Sequence, residues 1–519
     1  MPAREAGIVV PLFSLRSARG WGIGEIGDLG PLSAWLAAAG HRRLQLLPVF
    51  EMAPGERSPY AAITGFALDP IYLSLADVVD FAASGGEAAL SPEDRARLAG
   101  LRAGTGIDYD EVRGLKRRAL KRAFAHFYAA EWRTGTPRAQ ALRAYCAAEA
   151  DWLHDWALYR ALKEERGEAP WTAWEPALRD RKPAALARAR RALGARRLFH
   201  CYVQWLAAGQ WEAARRQAAA AGIALDGDLA FMVSADSADV WARQREFRLD
   251  ASLGAPPDAF NASGQDWGLP VPRWPVMARH GFAWLKRRAA RAAALFDGCR
   301  LDHVVGYYRM YVRPAAGTPA FEPATESEQR ALGERLLGVI RTAAAAMAIL
   351  AEDLGAVPDF VRASLARQGV PGHRVLRWEV ENGVFRDPRT YPELSVATSG
   401  THDTSSLATW WSEELDDAGR RALAAVPVFA PLAGAGAFTP AVHAALLDGL
   451  YAAGSRLVLL PVQDAYGGRE RINTPATVGP ANWSYRLPWA IEELAEGAGR
   501  SLAARLRALA ARHGRLPAG

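Results

Sequence analysis

Short apolar runs alternate with helical stretches along most of this chain, and that alternation restricts the fold more than any other feature. Strand-type runs lie at residues 8–12, 44–48, 224–233, 300–303, 349–352, 375–380, 394–398 and 457–462. Amphipathic helical patterns precede many of them, at 32–39, 282–296, 328–346, 358–368 and 441–453. Strand, helix, strand in repetition predicts a parallel α/β fold. About eight strands, several with an acid at the carboxyl end, favour a closed (β/α)8 TIM barrel over an open sheet, because barrel active sites form on that face. The segment 91–216 breaks the rhythm. It is rich in Ala, Arg, Glu and Trp and reads as an inserted, largely helical subdomain of a single catalytic domain spanning 1–519. The Pro- and Gly-rich stretch 247–275 reads as a long active-site loop.

Three strand ends carry the acids. Asp302 lies in Cys299-Arg300-Leu301-Asp302-His303, Glu352 in Leu350-Ala351-Glu352-Asp353, and Asp403 in Gly400-Thr401-His402-Asp403. They stand 50 and 51 residues apart, close to one or two β/α units. Cleaving a glycosidic bond needs one carboxyl group to protonate the leaving oxygen and another to attack or to direct water. Arg300 is two residues before Asp302, which puts both side chains on one face of a strand. A guanidinium there is expected to keep Asp302 ionised. Glu352, after an apolar strand, is then the expected proton carrier, and Asp403, beside His402, a group that holds sugar hydroxyls.

Composition removes other classes. No apolar run is long enough to span a bilayer, and the first residues lack a secretory pattern. Three scattered cysteines, Cys146, Cys201 and Cys299, suit a reducing cytoplasm. The net charge of +7 comes from arginines spread along helices, without a nucleic-acid reader motif. Gly22-Ile23-Gly24-Glu25-Ile26-Gly27 follows a loop and leads into no helix, so no dinucleotide cofactor is expected. His303 and His402 join no ligand set, so no metal is expected. The 18 tryptophans among 519 residues suit stacking on sugar rings as well as core packing.

These motifs resemble the amylomaltases, the 4-α-glucanotransferases or disproportionating enzymes related to the α-amylases. The resemblance spans nearly the whole chain. It includes Ser58-Pro59-Tyr60, Gly227-Asp228-Leu229, Asp236 to Trp241, Pro256-Pro257-Asp258, Gly264 to Gly268, Arg471 to Pro475 and Asn482-Trp483-Ser484. It implies that Asp302 is the nucleophile of a retaining double displacement, Glu352 the acid and then the base, and Asp403 a stabiliser of the distorted sugar. It also implies that Tyr60, Asp228, Arg300 and His402 line the same sugar subsite and that Trp267 contacts glucan. The partners implied are malto-oligosaccharides and other α-1,4-glucans. Arg57, Ala259 and Leu269 depart from the commonest family pattern, on the acceptor side. The three acids alone leave two other readings open, an amylase-type α-glucan hydrolase and a non-catalytic glucan-binding protein.

Overall fold

The computed structural model describes residues 4–257 and 264–517. Eight parallel strands close into a barrel: β1 (Glu5–Val9), β2 (Arg43–Gln45), β3 (Ala224–Leu229), β4 (Gly298–Leu301), β5 (Ala348–Ala351), β6 (Gly372–Val375), β7 (Ser395–Thr398) and β8 (Leu457–Pro461). Each pairs with its neighbours in sequence, and β8 returns to β1 with Glu5 opposite Leu457. The alternation therefore decoded correctly, with differences at particular strands. β1 begins before the expected 8–12 and stops ahead of Pro11, which has no N–H for the ladder. β6 lies before the expected 375–380. Its polar residues His373 and Arg374 hid it, and both are satisfied locally: His373 Nδ1 meets the Ala351 carbonyl at 2.7 Å, and Arg374 lies 3.4 Å from Asp353.

The amino end of the barrel is tied by charge. Arg43 on β2 reaches Glu5 on β1 at 2.9 Å and Asp226 on β3 at 3.0 Å. Two glycines make room: a Cβ at Gly7 would collide with Arg43, and one at Gly298 with the Asp226 carboxylate. Burial pushes Asp226 up to about 6, against the pull of Arg43.

Between β2 and β3 the chain is largely helical, from Pro92–Ala103 through Tyr109–Phe127, Pro137–Ala148 and Ala150–Glu165 to Gly194–Ala220. Its helix starts are written in the sequence: Ser91, Asp108 and Thr136 each accept a backbone N–H of the first turn, and Pro92 and Pro137 occupy the first helical position. Lys116, 1% exposed, docks this layer by pairing with Glu25 at 2.6 Å and donating to the Ile71 and Leu73 carbonyls.

Within 247–275, expected as a long loop, the described residues are largely strand. Phe247–Ala255 and Gln265–Pro272 pair as an antiparallel ribbon, and Met310–Pro314 and Ala320–Glu322 extend it to four strands. Its prolines misled the reading. Pro270 and Pro272 lie on the edge strand, where a missing ladder N–H is tolerated. Asp258 and Ala259 fall outside the described residues. Among the described residues, no helix is long and apolar enough to cross a membrane, and no group of three His, Cys, Asp or Glu is placed to hold a metal ion.

Replacing Arg43 by Met should destabilise the fold by about 3 kcal/mol, because Asp226 stays buried without its partner. The folded-state pKa of Asp226 stands above the ordinary 3.8, so its ionisation weakens the fold as pH rises towards about 6. The deficit of Arg43→Met in urea unfolding should accordingly be smaller at pH 5 than at pH 8. A deficit that is equal at both would remove the ion pair from this role.

Candidate active site

The acids gather at the carboxyl end of the barrel around one guanidinium. Arg300 on β4 is 5% exposed. Its Nη1 contacts Asp228 on β3 and reaches Asp302, just past β4, at 3.2 Å; its Nη2 reaches Glu352, just past β5, at 3.0 Å. Nη1 also lies 3.3 Å from the Tyr60 hydroxyl. Pairing of Arg300 with Leu350 and of Leu301 with Ala351 sets the register that puts these side chains level. Tyr60, from the loop after β2, donates to Asp228 at 2.7 Å.

Backbone N–H groups hold Asp302 and Glu352. Phe231 donates to Asp302 at 3.3 Å, and His303 donates to Glu352 at 2.7 Å. His303 has φ +46°, left-handed backbone that costs energy in a side-chain-bearing residue and that aims its N–H at Glu352. Its imidazole is held down to about 4 by burial and is neutral at pH 7.

The site's charge differs from the sequence expectation. Arg300 does not single out Asp302; it grips both acids. Burial pushes the Asp302 carboxyl well above the usual carboxylate range, and the Glu352 and Asp228 charges add to this against Arg300. For Glu352, burial also works upward. Arg300 and the His303 N–H outweigh it and hold Glu352 down at about 2. Three acids and one guanidinium carry a formal −2 when all are ionised, so one proton on the Asp302–Glu352 pair relieves repulsion.

Asp403 sits at the rim after β7 with 42% of its side chain exposed. Asn473 Nδ2 donates to its Oδ1 at 2.7 Å, and Arg471 donates to its carbonyl at 2.7 Å. His402 stacks on Tyr60 with ring centres 5.0 Å apart, and Trp483 leans on both rings. Trp267, on the ribbon strand Gln265–Pro272, packs edge-on against His303 at 4.8 Å, which brings the ribbon to the acids. A cleft of about 1460 Å³ opens past Glu352 and Asp403, walled by residues after β6 that include the half-exposed Trp378. That exceeds the usual 300–1,000 Å³ of a small-ligand pocket and suits an oligomer.

The structure thus brings Tyr60, Asp228, Trp267, Arg300, Asp302, Glu352, His402 and Asp403 to one end of the barrel. Asp228, 1% exposed, lies beneath the floor as the counter-ion of Arg300. Sequence reasoning missed Asn473, Trp483 and the backbone N–H groups of Phe231 and His303. Asn473 and Trp483 stood in quoted motifs, but only contact with Asp403 and His402 gives them a role.

A parallel barrel with acids clustered at its carboxyl end is the architecture of a (β/α)8 enzyme of the carboxylate-using kind. The 4-alpha-glucanotransferase family model matches residues 10–492. A 4-alpha-glucanotransferase of Thermus thermophilus is 33% identical over 485 residues, covering 90% of this chain and 92% of that protein. One from Chlamydia trachomatis is 32% identical over 505 residues, covering 94% and 92%. The structure of amylomaltase from Streptococcus agalactiae in complex with acarbose superposes with a TM-score of 0.83 at 26% identity, covering 99% of this chain and 100% of that one. The chain belongs to the 4-alpha-glucanotransferase family.

Asn473 is only partly buried, so its replacement by Ala should leave the thermal midpoint nearly unchanged. It should lower kcat by about 10²-fold, the size of effect that about 1 Å of misplacement produces, by releasing Asp403. Unchanged kcat would show that Asp403 needs no such anchor.

Proposed function

We propose that this chain transfers α-1,4-glucan segments between malto-oligosaccharides by two displacements at the Arg300 site. Supporting this is the single guanidinium that holds acids from three successive strands in one cluster. Transfer from one α-linkage to another keeps the anomeric configuration, and two inversions in sequence do that. Asp302 attacks the anomeric carbon while Glu352 gives its proton to the leaving oxygen. The glycosidic bond breaks and an Asp302–glucosyl ester forms. Glu352, now ionised, takes the proton of an acceptor 4-hydroxyl, which displaces Asp302 and restores an α-linkage. Asp403 and His402 hold the reacting sugar, and Trp267 contacts the glucan.

The attacking form has the pair's single proton on Glu352. Moving it there from Asp302 leaves the charge of the pair unchanged. Positive charge developing on the sugar favours the Asp302 anion and so favours that move. The covering ribbon favours transfer over hydrolysis, because a held acceptor has a far higher effective concentration than its bulk value. In this reading residues 1–519 form one catalytic domain with a helical insertion at about 91–216. A cytoplasmic setting fits the three free cysteines.

With maltotriose, the expected products are glucose and longer oligosaccharides at nearly constant total reducing ends, seen by chromatography. Reducing ends that rise in step with substrate loss would make the protein a hydrolase instead. Asp302→Asn should lower turnover by more than about 10⁴-fold while retaining oligosaccharide binding. Activity needs one proton on the pair, so kcat/KM should fall with unit slope as pH rises through the pair's upper pKa, which lies above the ordinary carboxylate range. The acid limb should lie towards about 2, where Glu352 is held. An acid limb at pH 4–5 would contradict this assignment.

A further inference from the structure

Cys146 and Cys201 meet on facing helices outside the barrel. Cys146 is near the end of Pro137–Ala148, and Cys201 lies in the second turn of Gly194–Ala220. Both line one surface pocket of about 370 Å³, together with Tyr128, Trp132, His154 and Arg197. Their helices pack against each other, and both residues reach that one pocket. Cys201 is 6% exposed, whereas Cys146 is half-buried and open to the pocket. Neither lines the glucan cleft.

The pocket sorts the two sulfurs into different roles. The neighbouring Cys201 thiol and the Arg197 guanidinium, one helical turn before Cys201, favour the thiolate at Cys146, though burial opposes it. Cys201 is pushed the other way, first by Cys146 and then by burial. An accessible thiolate beside a buried thiol is the pairing of an attacking and a resolving cysteine. Cys299, by contrast, is wholly buried in β4, and burial pushes its thiol far up.

We propose that Cys146 and Cys201 form a reversible disulfide that responds to peroxide and staples these two helices together. The Cys146 thiolate attacks one oxygen of hydrogen peroxide. The O–O bond breaks, hydroxide leaves and a sulfenic acid forms. The Cys201 thiol then attacks that sulfur, an S–S bond forms and water leaves. Two thiols are oxidised by two electrons and the peroxide is reduced. Two sulfurs on packed helices that share one small pocket need no unfolding to reach the bond length of about 2 Å.

The wild-type protein treated with hydrogen peroxide tests this without any substitution. Thiol titration of the denatured chain should fall from three groups to one, and the mass should fall by two hydrogens. Non-reducing peptide mapping should join Cys146 to Cys201, and dithiothreitol should restore three thiols. Cys201→Ala should instead stop at an oxidised Cys146 with no cross-link, while keeping glucan transfer. Three thiols persisting under peroxide, a disulfide between chains, or irreversible oxidation of Cys146 beside a free Cys201 would each overturn the proposal.

Discussion

Everything at the carboxyl end of the barrel depends on the buried charge of Arg300. A guanidinium can be kept out of water only if its donors meet acceptors, and here they meet Asp228, Asp302, Glu352 and Tyr60. The converse holds as well. Three carboxylates gathered this closely would repel one another without the cation between them. The cluster is a mutual requirement across β3, β4 and β5, and the remaining parts of the site are arranged around it.

The surroundings divide labour by depth. Beneath, Asp228 and Tyr60 hold Arg300 in place. At the level of reaction, backbone N–H groups of Phe231 and His303 fix the two carboxylates, and the left-handed backbone of His303 is the strain that this aiming requires. Above, Asp403 and His402 are steered by Asn473, Tyr60 and Trp483, and the ribbon brings Trp267 over His303. Rigid strands carry the ion cluster, while loops and the ribbon carry the aromatic groups around it.

The tryptophans show how composition can mislead. Thirteen of the 18 are buried, among them Trp21, Trp156, Trp211, Trp241, Trp284 and Trp411, which are almost wholly enclosed. Their abundance therefore reflects core packing first. The sugar-facing candidates are few, and position rather than number identifies them: Trp267 and Trp483 by their contacts, Trp378 by its place on the cleft wall.

The sequence by itself determined the barrel, the three acids, Arg300 and the helical starts, because each is a local signal. Strand and helix periodicity, a capping residue and a strand-end acid are all read within a few positions. The strands of the ribbon and the polar strand β6 were hidden, since prolines in the one and charges in the other argue locally against strands. Tertiary structure alone decided that the two acids share one cation. The two-residue spacing showed that Arg300 reaches Asp302, but not that its other nitrogen reaches Glu352, 52 residues on, or that the His303 N–H pulls Glu352 down as well. Protonation follows the sum of all charges and dipoles in a buried volume, and that sum exists only once the strands are side by side.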